Sequence, residues 1–357
     1  MSDHPYRNLP DKAFWKRSVA SVPPGEIDPV GRFDLTIAPD TKVATAGSCF
    51  AQHIARHLKA SGFCYYVAEQ AHPLIPADIA VAHNYGLFSA RYGNIYTARQ
   101  LLQLMQRAIG TFTPTDDAWI AKDGAVIDPF RPSTQPGGYV SEDEMRDDRT
   151  QHLGIVRGMF EDLDVFVFTL GLTEGWVSKI DGAAYPIAPG VDGGAFDADR
   201  YAFKNYGVAD VLADMNSFLD HLRVLNPTAQ VILTVSPVPL AATAEPDQHV
   251  LSATTYSKSV LRVVAEMLVN QHRNVHYFPS FEIITSMASR GGYYADDLRN
   301  VTEEGVSHVM RTFLRHATPQ GGRSETKASA SHVEENDFLQ RSSKIAEALC
   351  DEEKLDA

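Results

Sequence analysis

Short runs of apolar residues alternate with longer amphipathic segments along most of this chain. The runs KVATAG (42–47), DVFVFTLGL (164–172) and QVILTVSPVPL (230–240) have the length and the β-branched content of buried strands. Segments with apolar residues at helical spacing separate them. Because strands that alternate with helices form parallel sheets covered on both faces, we predict a three-layer α/β/α sandwich with a mainly parallel sheet.

The remaining elements follow from the same patterns. Phe50, Ile54 and Leu58 recur one turn apart, which predicts a helix from residue 49 to about 60. The other predicted elements are helices at 97–110, about 148–160, 205–227 and 256–272, a hairpin at 176–188 that turns at Asp181-Gly182, and a strand in 275–284.

Composition predicts one folded domain with extensions at both ends. Residues 1–40 are rich in proline and polar residues and predict an irregular lead-in. The regular patterns occupy residues 41–316. Residues 317–334 are small, polar and rich in Gly and Ser, as in a flexible linker. Residues 335–357 predict a short helical tail.

Charge and cysteine content exclude several classes of function. The net charge of −13 gives no electrostatic support for binding nucleic acid. The three cysteines, Cys49, Cys64 and Cys350, are odd in number and lack metal-site spacing, so neither a disulfide framework nor a structural metal is expected. No secretory signal and no run of the ~20 apolar residues that a membrane helix needs is seen. We expect a cytoplasmic protein without a cofactor; a homo-oligomer is possible.

Cys49 follows Gly47 and Ser48 at the turn between the first predicted strand and its helix. Ligands of open parallel sheets bind outside the carboxyl ends of the strands. The dipole and the free N–H groups of a helix N-terminus lower the pKa of a thiol, and the same N–H groups can hold an oxyanion. Cys49 is therefore a candidate nucleophile. The alternative is that it packs as a small apolar residue.

Gly171, Thr173 and Glu174 follow the second buried strand. A glycine there lets the backbone turn close to a ligand, the Thr173 hydroxyl can donate a hydrogen bond, and Glu174 can act as an acid, a base or a helix cap. The alternative is an ordinary turn with a cap.

Several segments together resemble the GSCFA-domain family. They are GSCFA (47–51), YGNIYTARQLLQL (92–104), TLGLTEGW (169–176), SPVPLAAT (236–243), YSKSVLR (256–262) and YFPSFEI (277–283). The resemblance extends from about residue 40 to 316. That family is similar to the SGNH/GDSL hydrolases, so the resemblance implies an SGNH-hydrolase-like, flavodoxin-like sandwich that cleaves or transfers acyl esters.

The resemblance also implies roles for individual residues. The nucleophile block of the hydrolases matches Gly47-Ser48-Cys49, which puts Cys49 in the nucleophile's place. Their Gly-x-Asn-Asp block resembles residues 171–174, so Thr173 is a candidate oxyanion donor; Gly86 is our choice for the oxyanion glycine. Their Asp-x-x-His pair falls on Asp297 and Asn300.

Asn300 departs from the family pattern, because histidine is expected at this position. An amide cannot accept a proton from a nucleophile or return one to a leaving group. Three explanations are open: an inactivated form, a different base, or a protein that binds without catalysis. Asn300 would also suit an N-cap for a helix starting near Val301, with Glu303 completing a capping box.

Other histidines are weaker candidates for the missing base. His83 lies in a possible site loop, and His53 lies one turn beyond Cys49 and could lean back towards it. His308 is expected to point away from the core.

Two hypotheses of different class result. The first is a cysteine hydrolase or acyltransferase that acts on a small-molecule or glycan acyl ester, impaired by Asn300. The second is a ligand-binding or regulatory protein on the same fold. A nucleotide-binding domain is disfavoured, because AGSCFAQH contains neither a Gly-x-Gly-x-x-Gly turn nor a P-loop.

Overall fold

The structure is a computed structural model that describes residues 4–48 and 50–319. In chain order, the strands are β1 (Val43–Gly47), β2 (Trp119–Ile120), β3 (Val126–Ile127), β4 (Val165–Leu170), β5 (Glu174–Ser178), β6 (Ala184–Tyr185), β7 (Tyr201–Asn205), β8 (Gln230–Val235) and β9 (Val275–Tyr277). The α-helices are α1 (Phe50–Ala60), α2 (Ala77–Ala82), α3 (Ala98–Ala108), α4 (Glu142–Asp162), α5 (Val208–Leu225), α6 (Val250–Gln271), α7 (Ser280–Thr285) and α8 (Glu303–Ala317).

The central sheet is parallel, with the strand order β1-β4-β8-β9. On the other side of β1, Tyr65 forms an isolated parallel bridge with Val43. Counting this bridge as a vestigial second strand gives the order 2-1-3-4-5 of flavodoxin-like sheets. The order in which strands are added therefore reverses between β1 and β4: the chain first goes to one side of β1, at Tyr65, and then adds β4, β8 and β9 on the other side. In such sheets, this change of direction opens a crevice beyond the strand ends where ligands bind.

Two apolar clusters cover the two faces of the sheet. On one face, α3, α4, α5 and α6 pack on β-strand residues such as Phe166 and Phe168. On the opposite face, α1, α7 and α8 pack on residues such as Val165 and Val167. This alternation along β4 follows from the two-residue period of a strand. The predicted three-layer α/β/α sandwich is therefore confirmed.

A second, three-stranded antiparallel sheet has the order β6-β5-β7. Strands β5 and β6 form the predicted hairpin, which turns through Gly182 at φ 73°. The short β2-β3 pair packs beside it through Trp119, Phe130 and Tyr185. Strand β5 starts at Glu174, so the first strand of this small sheet follows directly after the turn at the end of β4.

The predicted strand at 275–284 is only partly correct. Strand β9 has three residues, and α7 begins at Ser280, after Pro279. Proline lacks the N–H that would continue a sheet ladder, and Ile283 and Ile284 are buried from a helix instead. The described part of the lead-in contains three short helical turns, Asp11–Ala13, Lys16–Ala20 and Pro24–Glu26.

The two C-terminal segments fall largely outside the described residues. The domain runs into α8, which ends at Ala317. The linker predicted for 317–334 is described only to residue 319, and the predicted tail at 335–357 not at all. The division into domain, linker and tail stays a prediction. Within the part of the chain that the structure describes, no helix is both long and apolar enough to cross a bilayer.

Two expectations about α8 are wrong. Its N-cap is Thr302, whose side chain accepts a hydrogen bond from the N–H of Gly305, and not Asn300. His308 is buried with 3% of its surface exposed, and it contacts the Tyr293 hydroxyl and the Ile27 carbonyl. The lead-in covers this side of α8, which an isolated helical pattern does not reveal.

We predict that Thr302→Ala lowers the free energy of unfolding by about 1 kcal/mol, because it removes the acceptor for an otherwise unpaired N–H at the start of α8. Urea unfolding followed by circular dichroism measures the change. Thr302→Ser keeps the hydroxyl and should cost much less. A larger loss for Asn300→Ala than for Thr302→Ala would contradict the assignment of the cap.

Candidate functional site

The candidate site lies at the carboxyl ends of β1 and β4, where the chain changes direction across the sheet. Gly47 ends β1 at φ 140°, next to Thr169 of β4. A Cβ atom at Gly47 would lie 2.5 Å from the carbonyl oxygen of Thr169. Only glycine therefore fits here, and it brings the strand-to-helix turn against the end of β4.

The segment 92–97 lies across both strand ends. The N–H of Ile95 donates to the Gly47 carbonyl at 2.9 Å. The Tyr96 carbonyl accepts hydrogen bonds from the N–H groups of Gly171 and Leu172. These backbone bonds fix the two turns relative to each other, so the spacing at this edge of the sheet does not depend on flexible side chains.

Gly171 allows a close approach between the two turns. A Cβ atom at Gly171 would lie 3.0 Å from the Tyr96 carbonyl oxygen and 3.4 Å from Cβ of Ser48. Ser48 is buried with 4% exposure, and its hydroxyl has no hydrogen-bond partner among residues 4–48 and 50–319. The turn after β1 and the turn after β4 therefore lie side by side at this edge of the sheet, and the roles of Ser48 and Gly171 stay predictions.

Cys49 lies outside the described residues, so its role stays a prediction. Its neighbours in the chain define the setting. Ser48 ends the turn after β1, and α1 begins at Phe50. The start of a helix favours a negative charge, which suits a thiolate or an oxyanion.

Helix α6 contributes two buried polar residues to the turn after β4. The Ser257 hydroxyl accepts from the N–H of Thr173 at 3.0 Å. The Lys258 ammonium donates to the Gly171 carbonyl at 2.7 Å, and this lysine is only 3% exposed. Lysine is almost never buried this fully without a specific partner, and the Gly171 carbonyl is one such partner.

Thr173 and Glu174 are built into hydrogen bonds of their own. The buried Thr173 hydroxyl donates to Oδ1 of Asn205 at 2.8 Å. Glu174 accepts from the Thr243 hydroxyl at 2.8 Å and from the N–H of Ala244. Burial raises the pKa of Glu174. With its hydroxyl hydrogen directed at Asn205, Thr173 would have to rotate before it could donate to an oxyanion.

Asp297 and Asn300, on which the resemblance places an Asp-x-x-His pair, contact each other, and their catalytic role stays a prediction. Nδ2 of Asn300 donates to Oδ2 of Asp297 at 2.6 Å, and the N–H groups of Arg299 and Asn300 donate to Oδ1. Burial acts to raise the pKa of Asp297, but these hydrogen bonds bring it below its usual value. The carboxylate is therefore ionised and oriented, but the side chain that it orients cannot exchange a proton.

Two contacts hold the segment that carries Asp297 and Asn300 to the sheet. The Tyr294 hydroxyl donates to the carbonyl of Pro237, just after β8. At the start of α8, Glu303 pairs with Arg56 of α1 at 2.7 Å. The pair thus belongs to the layer of α1 and α8, whereas Lys258 comes from the layer on the opposite face.

The two histidines considered as alternative bases, His53 and His83, contact Arg56 and the Ile79 carbonyl. Nδ1 of His53 lies 3.2 Å from Arg56, and burial, followed by the charge of Arg56, lowers its pKa to about 3. Such an imidazole is a very weak base at neutral pH. Nδ1 of His83 contacts the Ile79 carbonyl at the end of α2, and Gly86 is exposed in the turn that follows. Their roles stay predictions.

Sequence reasoning did not select Lys258 or the segment 92–97 as site residues. Both lie within segments that carry the family resemblance, YSKSVLR and YGNIYT. One further signal was available. Lys258 lies on the apolar face of α6 with Leu261 and Ala265. A charged residue on such a face is normally buried only when it has a specific polar partner. Across the described ranges, no three His, Cys, Asp or Glu side chains are grouped as metal ligands would be.

Comparisons with known proteins give one family match by sequence and several similar solved structures. A sequence model of the GSCFA family matches residues 42–313. No curated protein matches the chain. Among solved structures, an acetyl esterase variant with acetate has 10% identity and a TM-score of 0.32, over 76% of this chain and 92% of that one.

Two further solved structures are similar at the same level. A carbohydrate esterase family 3 protein from Talaromyces cellulolyticus has 11% identity and a TM-score of 0.29, over 76% of this chain and 94% of that one. An acetyl xylan esterase from Butyrivibrio proteoclasticus has 15% identity and a TM-score of 0.25, over 70% of this chain and 57% of that one.

Proposed function

Because the chain belongs to the GSCFA family, we propose that it cleaves or transfers an acyl ester of a small molecule or glycan, with Cys49 as the nucleophile. The observation that carries this proposal is the edge formed by β1 and β4. There, a strand-to-helix turn built on Gly47 and Ser48 contacts the Gly171 turn beside a buried lysine. Nucleophiles, oxyanion donors and proton-transfer groups must meet in this way for acyl transfer.

The proposed first half of the reaction forms a thioester. The Cys49 thiolate attacks the acyl carbon, and N–H groups at the start of α1 hold the new negative charge on oxygen. The C–O bond then breaks, and the departing alkoxide takes a proton from water to leave as the alcohol. Because the N–H groups of Gly171 and Leu172 are already bonded to Tyr96, α1 is the better source of oxyanion donors. Ser48, Gly86 and Thr173 remain candidates for that role, and Glu174 for substrate binding.

The proposed second half is slow. Water or an acceptor must attack the thioester, and a base would normally remove its proton. Nδ2 of Asn300 binds the Asp297 carboxylate, but an amide cannot act as a base. We therefore expect an acyl-thioester on Cys49 to accumulate.

Intact-protein mass spectrometry after incubation with p-nitrophenyl acetate tests this function. The parent should gain one acetyl group, and Cys49→Ala should gain none. Cys64→Ala and Cys350→Ala serve as controls and should acylate like the parent. A parent that stays unmodified, or an adduct that persists in Cys49→Ala, would refute the nucleophile.

The second candidate is a binding or regulatory protein that retains the fold without catalysis. Asn300 favours it, since the hydrogen bond to Asp297 is kept although the titratable group is absent. Under this alternative, Cys49 is not acylated and Asn300→His creates no turnover.

A further inference from the structure

We propose that the cavity between helix α3 and the three-stranded sheet binds a short-chain carboxylate through Arg107. The walls of this cavity come from α3, from the segment 92–97 and from residues next to β3 and β6. Ile95 borders both this cavity and the edge formed by β1 and β4. Among the described residues that line the cavity, none is a candidate for catalysis. The inference therefore goes beyond the proposed function and does not depend on it.

The cavity is small, and one part of its wall is apolar. Its volume is about 320 Å³, the open mouth included, which is the lower end of the range for small-molecule sites. Gln103 lines the cavity, but its amide is already bonded: Oε1 accepts from the N–H of Ala184 at 2.7 Å, and Nε2 donates to the Gly182 carbonyl at 2.8 Å. The apolar part of the wall consists of Ile95, Leu104, Phe130, Ala184 and Pro186.

Arg107 brings a positive charge to this cavity. Its Nε is buried and has no hydrogen-bond partner among residues 4–48 and 50–319. Asp128 acts on the charge of Arg107, but its carboxylate already accepts from Arg131 at 2.9 Å and from Arg149 at 3.1 Å. A buried N–H that lacks an acceptor is costly. A ligand that accepts a hydrogen bond from this atom would therefore be favoured.

The surroundings of the Arg107 guanidinium are short of negative charge. Burial lowers the pKa of Arg107 to about 10, and the nearby cations Arg149 and Arg131 act in the same direction, whereas Asp128 opposes them only in part. The group is still charged at neutral pH, so a positive charge is held where its environment disfavours it. An anion beside the guanidinium would supply the missing counter-charge.

The shape of the guanidinium favours a carboxylate over other anions. Its N–H donors lie in one plane, which matches the two oxygens of a carboxylate. The guanidinium carbon of Arg107 lies 4.2 Å from the centre of the Phe130 ring, and this contact holds the group at the cavity wall. One cation balances one singly charged carboxylate, and the apolar wall suits a short hydrocarbon chain. A doubly charged phosphate would keep one charge without a partner.

Equilibrium dialysis with radiolabelled butyrate tests the site. We expect the parent to retain butyrate and Arg107→Met to bind it about 10- to 100-fold more weakly, because a charge-assisted hydrogen bond is lost. A parent that retains no butyrate would mean that the cavity holds only solvent. Equal binding by the parent and Arg107→Met would place the carboxylate elsewhere. Either result would overturn the inference.

Arg99→Met is the matched control. Arg99 belongs to the same helix and also lies over an aromatic ring, that of Tyr206, but it pairs with Asp214 at 2.9 Å and does not line the cavity. Its replacement should leave the binding of butyrate unchanged. A loss in Arg99→Met as large as that in Arg107→Met would show a general effect of charge and no specific site.

Two further ligands identify the chemistry of the site. Butyramide has the shape of butyrate without its charge, and it should compete at least about 10-fold less well. Inorganic phosphate has more charge but no hydrocarbon chain, and it should also compete poorly. Butyramide that competes as well as butyrate would exclude the ion pair with Arg107. Phosphate that competes better than butyrate would contradict the choice of a carboxylate.

Thermal unfolding without ligand separates binding from support of the fold. Arg107→Met replaces a buried cation that lacks full compensation by an apolar chain of similar length. Its melting temperature should therefore equal or exceed that of the parent. A melting temperature several degrees below that of the parent would mean that Arg107 stabilises the fold, contrary to the inference.

Ala184→Val tests the site without removing the charge. The larger side chain would narrow the cavity beside β6, and valine is well suited to a strand. We expect this variant to fold and to bind butyrate at least about 10-fold more weakly than the parent. Undiminished binding by a folded Ala184→Val would place butyrate outside this cavity and overturn the inference.

Discussion

Replacement of Gly47 by alanine is expected to lower the free energy of unfolding by about 3 to 5 kcal/mol, the sum of a strained backbone and a steric overlap. The methyl group would lie 2.5 Å from the Thr169 carbonyl oxygen, and backbone atoms of paired strands cannot move aside cheaply. A φ of 140° is also unfavourable for any residue with a Cβ.

Gly62→Ala is the matched control for this prediction. Gly62 has φ 77°, but nothing lies within 4 Å of the position that a Cβ would occupy. It should therefore show only the backbone cost, about 1 kcal/mol. Urea unfolding of both variants separates the two contributions. Similar losses in the two variants would mean that β1 and β4 can separate at this edge without difficulty.

Replacement of Asn300 by histidine is expected to increase the rate of thioester hydrolysis by about 10²- to 10⁴-fold, the usual contribution of a general base. The Asp297 carboxylate already binds the side chain at 300, at 2.6 Å. An imidazole there would donate from Nδ1 to Asp297 and present Nε2 as the base. The decay of the acetyl adduct, followed by mass spectrometry, measures the rate.

The pH dependence of that rate identifies the new base. Asp297 is ionised at neutral pH because its pKa is below the usual value. The rate should therefore rise with pH as the imidazole loses its proton, near or above pH 6.5. Asn300→Gln, which adds length without a titratable group, is the control and should leave the rate unchanged. A histidine variant no faster than the glutamine variant would favour the non-catalytic alternative.

The main architecture could be predicted because it depends on local patterns. Buried strands such as β4 and amphipathic helices such as α5 are encoded within their own segments. The predictions were wrong where a nearby residue or a distant segment determines the local structure. The apolar residues of 275–284 suit a strand, but Pro279 ends the hydrogen-bonded ladder of the sheet. The isoleucines that follow are residues of helix α7, and they are buried there. His308 is buried because the lead-in reaches back to α8.

In the candidate site, too, some contacts could be predicted from local sequence and others could not. Gly47, Ser48 and Gly171 could be placed together, because parallel strands end at one edge and their turns follow directly. The family resemblance implied that Asp297 and Asn300 form a pair, and their contact follows from their separation of three residues within one turn. The bond from Thr173 to Asn205 could not be foreseen, since it joins residues from separate segments whose distance depends on the second sheet.

Residue type and short spacing were enough to predict the parallel sheet, the glycines at its edge and the lack of a titratable group at residue 300. The packing of the whole chain was needed to show that Ile95 and Tyr96 bridge the two strand ends and that Lys258 is buried against Gly171. Those contacts join residues far apart in the chain. Their formation depends on how whole helices pack across the two faces of the sheet, which local patterns do not specify.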